Sequence, residues 1–282
     1  MKPLGIAIVA NEKLEETVEW AKASGFTNCQ LQIWDMELLA KTEARRIRLL
    51  MEKYSMEVTG VWCGWHGPIC WDFREGPSIL GLIPVEYRAS RTKNLLEGAA
   101  FARELGVKDI ITHVGFVPLN CRDTLYTGLV STLRYITKEL HMYGQNFLME
   151  TGQEPPVVLN RLIEDVGADN LFVNFDPANL MMYGNANPSD ALDMLGSKVR
   201  SIHAKDGSYP ITGSQLGLEY PIGKGKVDFK ALVGKLFDMD YKGPISIEYE
   251  IEEWNKKQQE EILEGKAYLE ELIKKQSKKD CQ

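Results

Sequence analysis

The chain has 282 residues, of which 44% are hydrophobic and 26% charged, and its formal net charge is −7 at pH 7. That composition suits a soluble globular enzyme with ample core. The charge argues against a nucleic-acid binder, which needs a cationic surface to displace the counterions of phosphates. No apolar run is long enough to span a bilayer, so no membrane partner is expected. The N-terminus, Met1-Lys2-Pro3-Leu4-Gly5, runs into a strand without the long apolar stretch of a signal peptide, and a cytoplasmic location follows as the expectation. Five cysteines (Cys29, Cys63, Cys70, Cys121 and Cys281) are an odd number without CxxC spacing and read as free thiols. Cys63 and Cys70 flank His66, but two thiols and one imidazole without a fourth ligand make a poor zinc site.

Strand-like and helix-like segments alternate from end to end. Residues 4–9 are a short apolar run; Leu14, Val18 and Ala21 then recur at helical spacing until Ser24-Gly25 closes the helix. A second strand covers 26–33, followed by Ala44, Ile47, Leu50 and Tyr54 on one helical face, and a third strand covers 56–63. A long aromatic insertion, Trp62 through Phe73, and a loop to Tyr87 come next. Leu95, Ala99, Ala102 and Leu105 stripe the following helix, which Gly106 caps before strand four at 107–114. Leu125, Leu129, Leu133, Ile136 and Leu140 mark another helix. Asn146–Glu150 is strand five and 157–166 a helix; 171–176 is strand six and Pro188–Leu195 a short helix. Val199–Ala204 is strand seven, 229–239 its helix and 244–248 strand eight, with a charged helical tail over 254–275.

Strands that read as near-continuous apolar runs are buried on both faces, which implies a parallel sheet. Eight strand–helix units closing on themselves predict one (β/α)₈ TIM barrel spanning residues 1–282, finished by the C-terminal helix. A doubly wound open sheet is the alternative, but no GxGxxG turn follows strand one.

In such barrels functional groups sit where strands end and βα loops begin. Those positions hold Trp62 to His66 after strand three, His113 at strand four, Glu150 at strand five, Asp176 at strand six, His203 at strand seven and Glu248 at strand eight. Any one of the last four alone is an ordinary polar strand terminus. Four at matching ends of consecutive strands converge on one point. Buried carboxylates repel one another unless a cation occupies their centre. Oxygen donors with one imidazole suit a single divalent ion, Mn²⁺ first, with Mg²⁺, Co²⁺ and Zn²⁺ as alternatives.

The segments Leu148-Met149-Glu150-Thr151, Asn174-Phe175-Asp176-Pro177-Ala178-Asn179, Ile202-His203-Ala204-Lys205-Asp206, Pro221 through Phe229 and Tyr241 through Glu248 carry a resemblance. Together they resemble the xylose-isomerase-like TIM-barrel superfamily, the sugar isomerase/epimerase branch that includes ketose 3-epimerases, inosose dehydratases and apurinic endonucleases. The resemblance implies that Glu150, Asp176, His203 and Glu248 hold the metal. It also implies that Glu150 and Glu248 flank the sugar, one carboxylate taking a proton next to a carbonyl and the other returning it through an ene-diolate. It further implies a small-molecule carbohydrate substrate and a homo-oligomer, dimer or tetramer. Three departures stand out. Ketose 3-epimerases carry a His three residues after the Asp ligand, where this chain has Asn179; they carry an Arg after the His ligand, where it has Lys205-Asp206-Gly207; and Glu154 follows Glu150 by four residues rather than six.

Trp62, His66, His113, Glu154, Asn179 and Lys205 are therefore the expected substrate contacts. The aromatic loop would stack indole faces on sugar C–H faces and lid the pocket, or else pack as a plain loop or subunit contact. The alternative for each histidine is a structural hydrogen bond, and for Lys205 a salt bridge to Asp206. Glu250 reads as rim. The Gly223-Lys224-Gly225-Lys226 turn reads as shaping the strand-seven loop rather than binding phosphate. The leading expectation is a divalent-metal sugar isomerase or epimerase. The alternative is a lyase that eliminates a β-substituent from a keto-sugar, keto-inositol or 3-keto-glycoside. Phosphodiester hydrolysis would need more histidines than the four present, and a binding barrel without turnover is disfavoured by intact Glu150 and Glu248.

Overall fold

Alternation decides the architecture, because each strand sends one set of side chains outward to helices and the other into the middle. The computed structural model describes residues 2–251 and 254–279. Eight parallel strands close into a barrel: β1 (Gly5–Val9), β2 (Asn28–Ile33), β3 (Glu57–Cys63), β4 (Asp109–Thr112), β5 (Asn146–Glu150), β6 (Leu171–Phe175), β7 (Val199–Ala204) and β8 (Ile245–Ile247), with β8 pairing back onto β1. Helices α1 (Leu14–Ala23), α2 (Lys41–Lys53), α3 (Val85–Glu104), α4 (Thr124–His141), α5 (Pro156–Val166), α6 (Pro188–Leu195), α7 (Phe229–Asp238) and α8 (Lys256–Lys279) surround it. The expected TIM barrel is the fold, and among the described residues no helix is long and apolar enough to cross a membrane.

Local chemistry sets the helix ends. Pro156 opens α5 at a position whose N–H needs no partner, and Gly167, at φ 68°, closes it in the left-handed conformation. The carboxylates of Asp123 and Asp228 cap α4 and α7 by accepting from Leu125 N and Ala231 N.

The core has two compartments. Phe147 and Met149 on β5, Leu31 on β2 and Val173 on β6 join the helices in the outer cluster. Leu148, Trp62 and Ile111, one residue out of phase, form a smaller inner cluster with Trp65 and Leu80. The same phase leaves Gln30 and Gln32 between the outward Cys29, Leu31 and Ile33, and it leaves Ser201 and His203 alternating with the outward Ile202 and Ala204. The barrel interior is thus partly polar, and those polar groups meet one another: Ser201 Oγ donates to Asn174 Oδ1.

Short elements add detail to what reads as loop. Gly76–Ile79 forms one helical turn because Asp72 Oδ1 accepts from Arg74, Glu75 and Gly76 N–H at 3.0, 2.7 and 3.1 Å. Pro177–Met182 is a helix begun by Asp176, and residues 206–207 pair antiparallel with 219–220 as a small ribbon. Gly81, at φ +67°, lets the chain after β3 descend onto β4, since a Cβ there would stand 2.2 Å from the Val114 carbonyl. Cys29, Cys63, Cys70 and Cys121 are free thiols; Cys281 lies outside the described residues.

Candidate active site

Four strand ends bring Glu150, Asp176, His203 and Glu248 together, with one ligand-capable atom of each within 4.8 Å of the others. All are buried, at 1%, 0%, 0% and 5% exposure. His203 Nδ1 stands at the centre, 3.0 Å from Glu150 Oε1, 3.1 Å from Glu248 Oε2 and 3.8 Å from Asp176 Oδ2.

Each group is held from behind. Gln30 Oε1 lies 2.5 Å from His203 Nε2, a contact that fixes the ring with Nδ1 facing the carboxylates. Gln32 Nε2 donates to Glu248 Oε1 at 2.5 Å. Trp62 Nε1 donates to Glu150 Oε2, and Asn179 Nδ2 donates to Glu150 Oε1 at 3.2 Å. Asp176 Oδ1 accepts from Asn179 N at 2.8 Å. The backbone of Asp176 is fixed by Thr151, whose hydroxyl accepts from Asp176 N and donates to Asp176 O. Asp176 Oδ2 is fully buried and has no hydrogen-bond partner among the described residues, the His203 Nδ1 at 3.8 Å being its nearest basic neighbour.

Burial pushes the Asp176 carboxyl up to about 6. Burial also opposes the charge on His203, but the carboxylates of Glu248 and Glu150 outweigh it and hold the imidazole well above its usual value. Glu248 and Glu150 feel the same burial, and neighbouring positive charge, His203 first, nonetheless keeps both below the ordinary carboxylate range. Three carboxylates, one of them with an oxygen that has no hydrogen bond, and one imidazole make a donor set that could hold a divalent ion. Such an ion would relieve both the repulsion and the lone oxygen.

Above the cluster opens a cavity of about 280 Å³. Trp62, His113, Asn179 and Lys205, four of the expected contacts, line it together with Glu150 and Glu248. Trp34 and Trp71 line one side, with ring centroids 4.7 Å between Trp34 and Trp62 and 6.4 Å between Trp34 and Trp71; Met182, Tyr183 and Leu216 line the other. An antiparallel bridge between Asp72 and Gln215 joins the loop after β3 to the loop after β7. His113 Nε2 lies 3.8 Å from Glu150 Oε2, and burial depresses the proton affinity of the ring.

Two expected contacts do not line the cavity. His66 is exposed, and its backbone N–H donates to Asn94 Oδ1 at 3.2 Å. The chain before it is pinned at Gly64, where a Cβ would stand 2.7 Å from Trp34, so His66 is carried outward. Glu154 is 1% exposed, both its oxygens lack partners among the described residues, and burial raises its pKa well above the ordinary range. Two residues earlier Gly152 packs tightly, since a Cβ there would stand 3.2 to 3.3 Å from the side chains of Asn179 and Tyr183.

Lys205 does not pair with Asp206. Its ammonium bonds Glu248 Oε2 at 3.1 Å and Glu250 Oε2. Asp206 instead gathers the backbone N–H groups of Gly207, Gly223, Gly225 and Val227 at 2.8 to 3.0 Å, so the Gly-Lys turn shapes the loop as expected. Sequence reasoning passed over Gln30, Gln32 and Trp34. The polar alternation Gln30-Leu31-Gln32-Ile33 within an apolar strand, and an indole directly after it, were the signals available.

A family model described as xylose isomerase-like TIM barrel matches residues 18–272. The chain belongs to this family. Among solved members of the fold, a xylose isomerase domain protein from Planctomyces limnophilus is 32% identical with a TM-score of 0.92, over 98% of this chain and 99% of that one. An L-ribulose 3-epimerase shares the fold at a TM-score of 0.76 and 15% identity, over 99% of this chain and 97% of that one. An Escherichia coli (strain K12) protein named "Putative L-ribulose-5-phosphate 3-epimerase SgbU" is 34% identical over 91 residues, 32% of this chain and 30% of its own length. The chain spans 30% and 54% of the lengths of the curated relatives it matches.

Proposed function

We propose that this xylose-isomerase-like barrel is a divalent-metal-dependent carbohydrate isomerase or epimerase that moves a proton next to a carbonyl, with Glu150 and Glu248 as the two proton carriers. One juxtaposition carries the reading: both glutamates line the same cavity, enter it from non-adjacent strands, and each approaches the same imidazole nitrogen, at 3.0 and 3.1 Å.

When bound, an ion held by Glu150, Asp176, His203 and Glu248 would polarise the substrate carbonyl and acidify the adjacent C–H. The remaining work belongs to the protein. Neighbouring positive charge keeps Glu150 and Glu248 ionised despite their burial, so either can accept a proton at neutral pH. Trp62 and Asn179 fix Glu150, while Gln32 and Lys205 fix Glu248, so neither carboxylate has to be ordered when substrate arrives. Return of the proton on the opposite face gives an epimer; return to the neighbouring carbon gives an isomer. Trp34, Trp62 and Trp71 offer apolar faces for the sugar's C–H groups and keep water away.

The test is a panel of keto-sugars and keto-glycosides in D₂O with Mn²⁺, followed by NMR. Deuterium at the carbon beside the carbonyl with an epimeric or isomeric product is the expected outcome. Release of an aglycone or of water would reassign the enzyme to β-elimination, and a substrate that binds without any exchange would refute proton transfer.

A further inference from the structure

Among the described residues lining the cavity, Lys205 is the one lysine or arginine, and its charge is already committed. Its side chain is 4% exposed, its ammonium bonds both Glu248 and Glu250, and Glu219 Oε2 lies 3.8 Å away. Glu248 belongs to the buried cluster, but Glu250 does not. It stands at the mouth with its side chain 51% exposed, and its backbone N–H donates to Glu219 Oε1 at 2.8 Å. Of the three carboxylates beside Lys205, Glu219 and Glu250 are thus tied to each other through the backbone as well as through the cation.

Two further groups that could greet an anion, the backbone N–H groups of the Gly223–Val227 turn and the Arg91 guanidinium, are engaged as well. Asp206 holds the N–H groups of the Gly223–Val227 turn. A Cβ at Gly225 would stand 2.2 Å from Asp206 Oδ1, which shows how closely the turn wraps its own carboxylate. The guanidinium of Arg91, stacked on Trp65, donates to the carbonyls of Ile79, Gly81 and Pro68.

We infer that Glu250 is a specificity-determining residue that restricts the pocket to uncharged carbohydrates, free sugars or glycosides, and turns away sugar phosphates. This rests on the proposed function, which puts the reacting carbon between Glu150 and Glu248 at the floor. The far end of a keto-sugar then extends toward the mouth, where Glu250, Trp71 and Leu216 line the cavity. A phosphate carries about −1.5 to −2 charge at pH 7. At the mouth it meets a carboxylate rather than a cation, and it reaches Lys205 only by displacing Glu250. An uncharged hydroxyl or glycosidic group meets the same carboxylate as a hydrogen-bond acceptor, with the indole as an apolar wall.

The full chain loaded with Mn²⁺ would be titrated with D-fructose against D-fructose 6-phosphate and with L-ribulose against L-ribulose 5-phosphate. Binding would be read by tryptophan fluorescence, since Trp34, Trp62 and Trp71 line the cavity. Solvent deuterium uptake would be read separately. The wild type should bind the uncharged member of a pair at least about tenfold more tightly. Glu250→Gln, which releases Lys205 from one carboxylate, should narrow that gap, and Glu250→Lys should reverse it. Equal or tighter binding of the phosphates by the wild type, or a preference untouched in both variants, overturns the inference. An uncharged sugar that binds but takes up no deuterium refutes the proton-transfer reading while leaving the charge preference standing.

Discussion

The cavity has two unlike walls. Glu150 and Glu248 line the charged one, backed by the fully buried Asp176 and His203 with which they cluster; Glu150 pairs in register with Asn174, and His203 with Ser246. The aromatic wall comes from Trp34 just after β2, Trp62 on β3 and Trp71 in the long loop that follows. Charge needs this rigidity more than recognition does, because a displaced carboxylate no longer lines up with the ion it would hold or the C–H it would deprotonate. A stacking surface tolerates small shifts, and loops can vary it without rebuilding the barrel.

Damage to the two walls should therefore differ in kind. The largest effect is expected from Glu150→Gln and Glu248→Gln, each lowering kcat by at least about 10³-fold while far-UV circular dichroism stays unchanged. A near-normal rate in either variant would sink the two-carboxylate mechanism. Next comes the ion. Mn²⁺ at 100 times its Kd should stabilise the fold by about 2.7 kcal/mol, seen as a Tm that EDTA lowers and Mn²⁺ restores. Asp176→Asn should abolish that response.

The charged wall also predicts a pH signature in EDTA. Asp176 rises from 3.8 to about 6 on folding, so between those values the folded chain binds more protons at this site than the unfolded chain. The contribution of Asp176 to stability therefore falls as pH rises through that window and is lowest above it. Calorimetry should find the Tm of Asp176→Asn gaining on that of the wild type from pH 3.8 to about 6. A constant difference would mean that this carboxyl ionises in the folded protein as it does in the unfolded one.

The charged wall was also the legible one. Glu150, Asp176, His203 and Glu248 were found because an apolar run that ends in a polar residue marks its own exit point, and the barrel fixes where exits meet. His66, which the same rule points to, and Glu154, which the family resemblance points to, are absent from the pocket lining. Both lie beyond a strand end, where turn geometry at Gly64 and Gly152 sets direction and sequence spacing does not. Gln30 and Gln32 were hidden for the opposite reason. They sit inside a strand, where an unbroken apolar reading of β2 masked two inward polar side chains. The partners of Lys205 were illegible because Glu219 and Glu250 are brought to it by a ribbon of two residues per strand and by the exit of β8.

Trp62 belongs to both walls, and it gives the sharpest comparison at smaller magnitude. Its indole N–H donates to Glu150 Oε2 while its ring lies 4.7 Å from that of Trp34. Trp62→Phe keeps an aromatic ring but loses the hydrogen bond to an ionised group, worth about 1.5 to 3 kcal/mol. It should lower kcat by about 10- to 100-fold. Trp71 touches only the aromatic side, stacked edgewise near Trp34 and His113 and 38% exposed. Trp71→Ala removes apolar contact worth roughly 1 kcal/mol, so KM should rise about fivefold with kcat within about twofold. The Mn²⁺-dependent gain in Tm should survive in Trp71→Ala, because no ion-facing group loses a partner. If Trp71→Ala instead lowers kcat as far as Trp62→Phe does, the two walls act as one unit and the division between them fails.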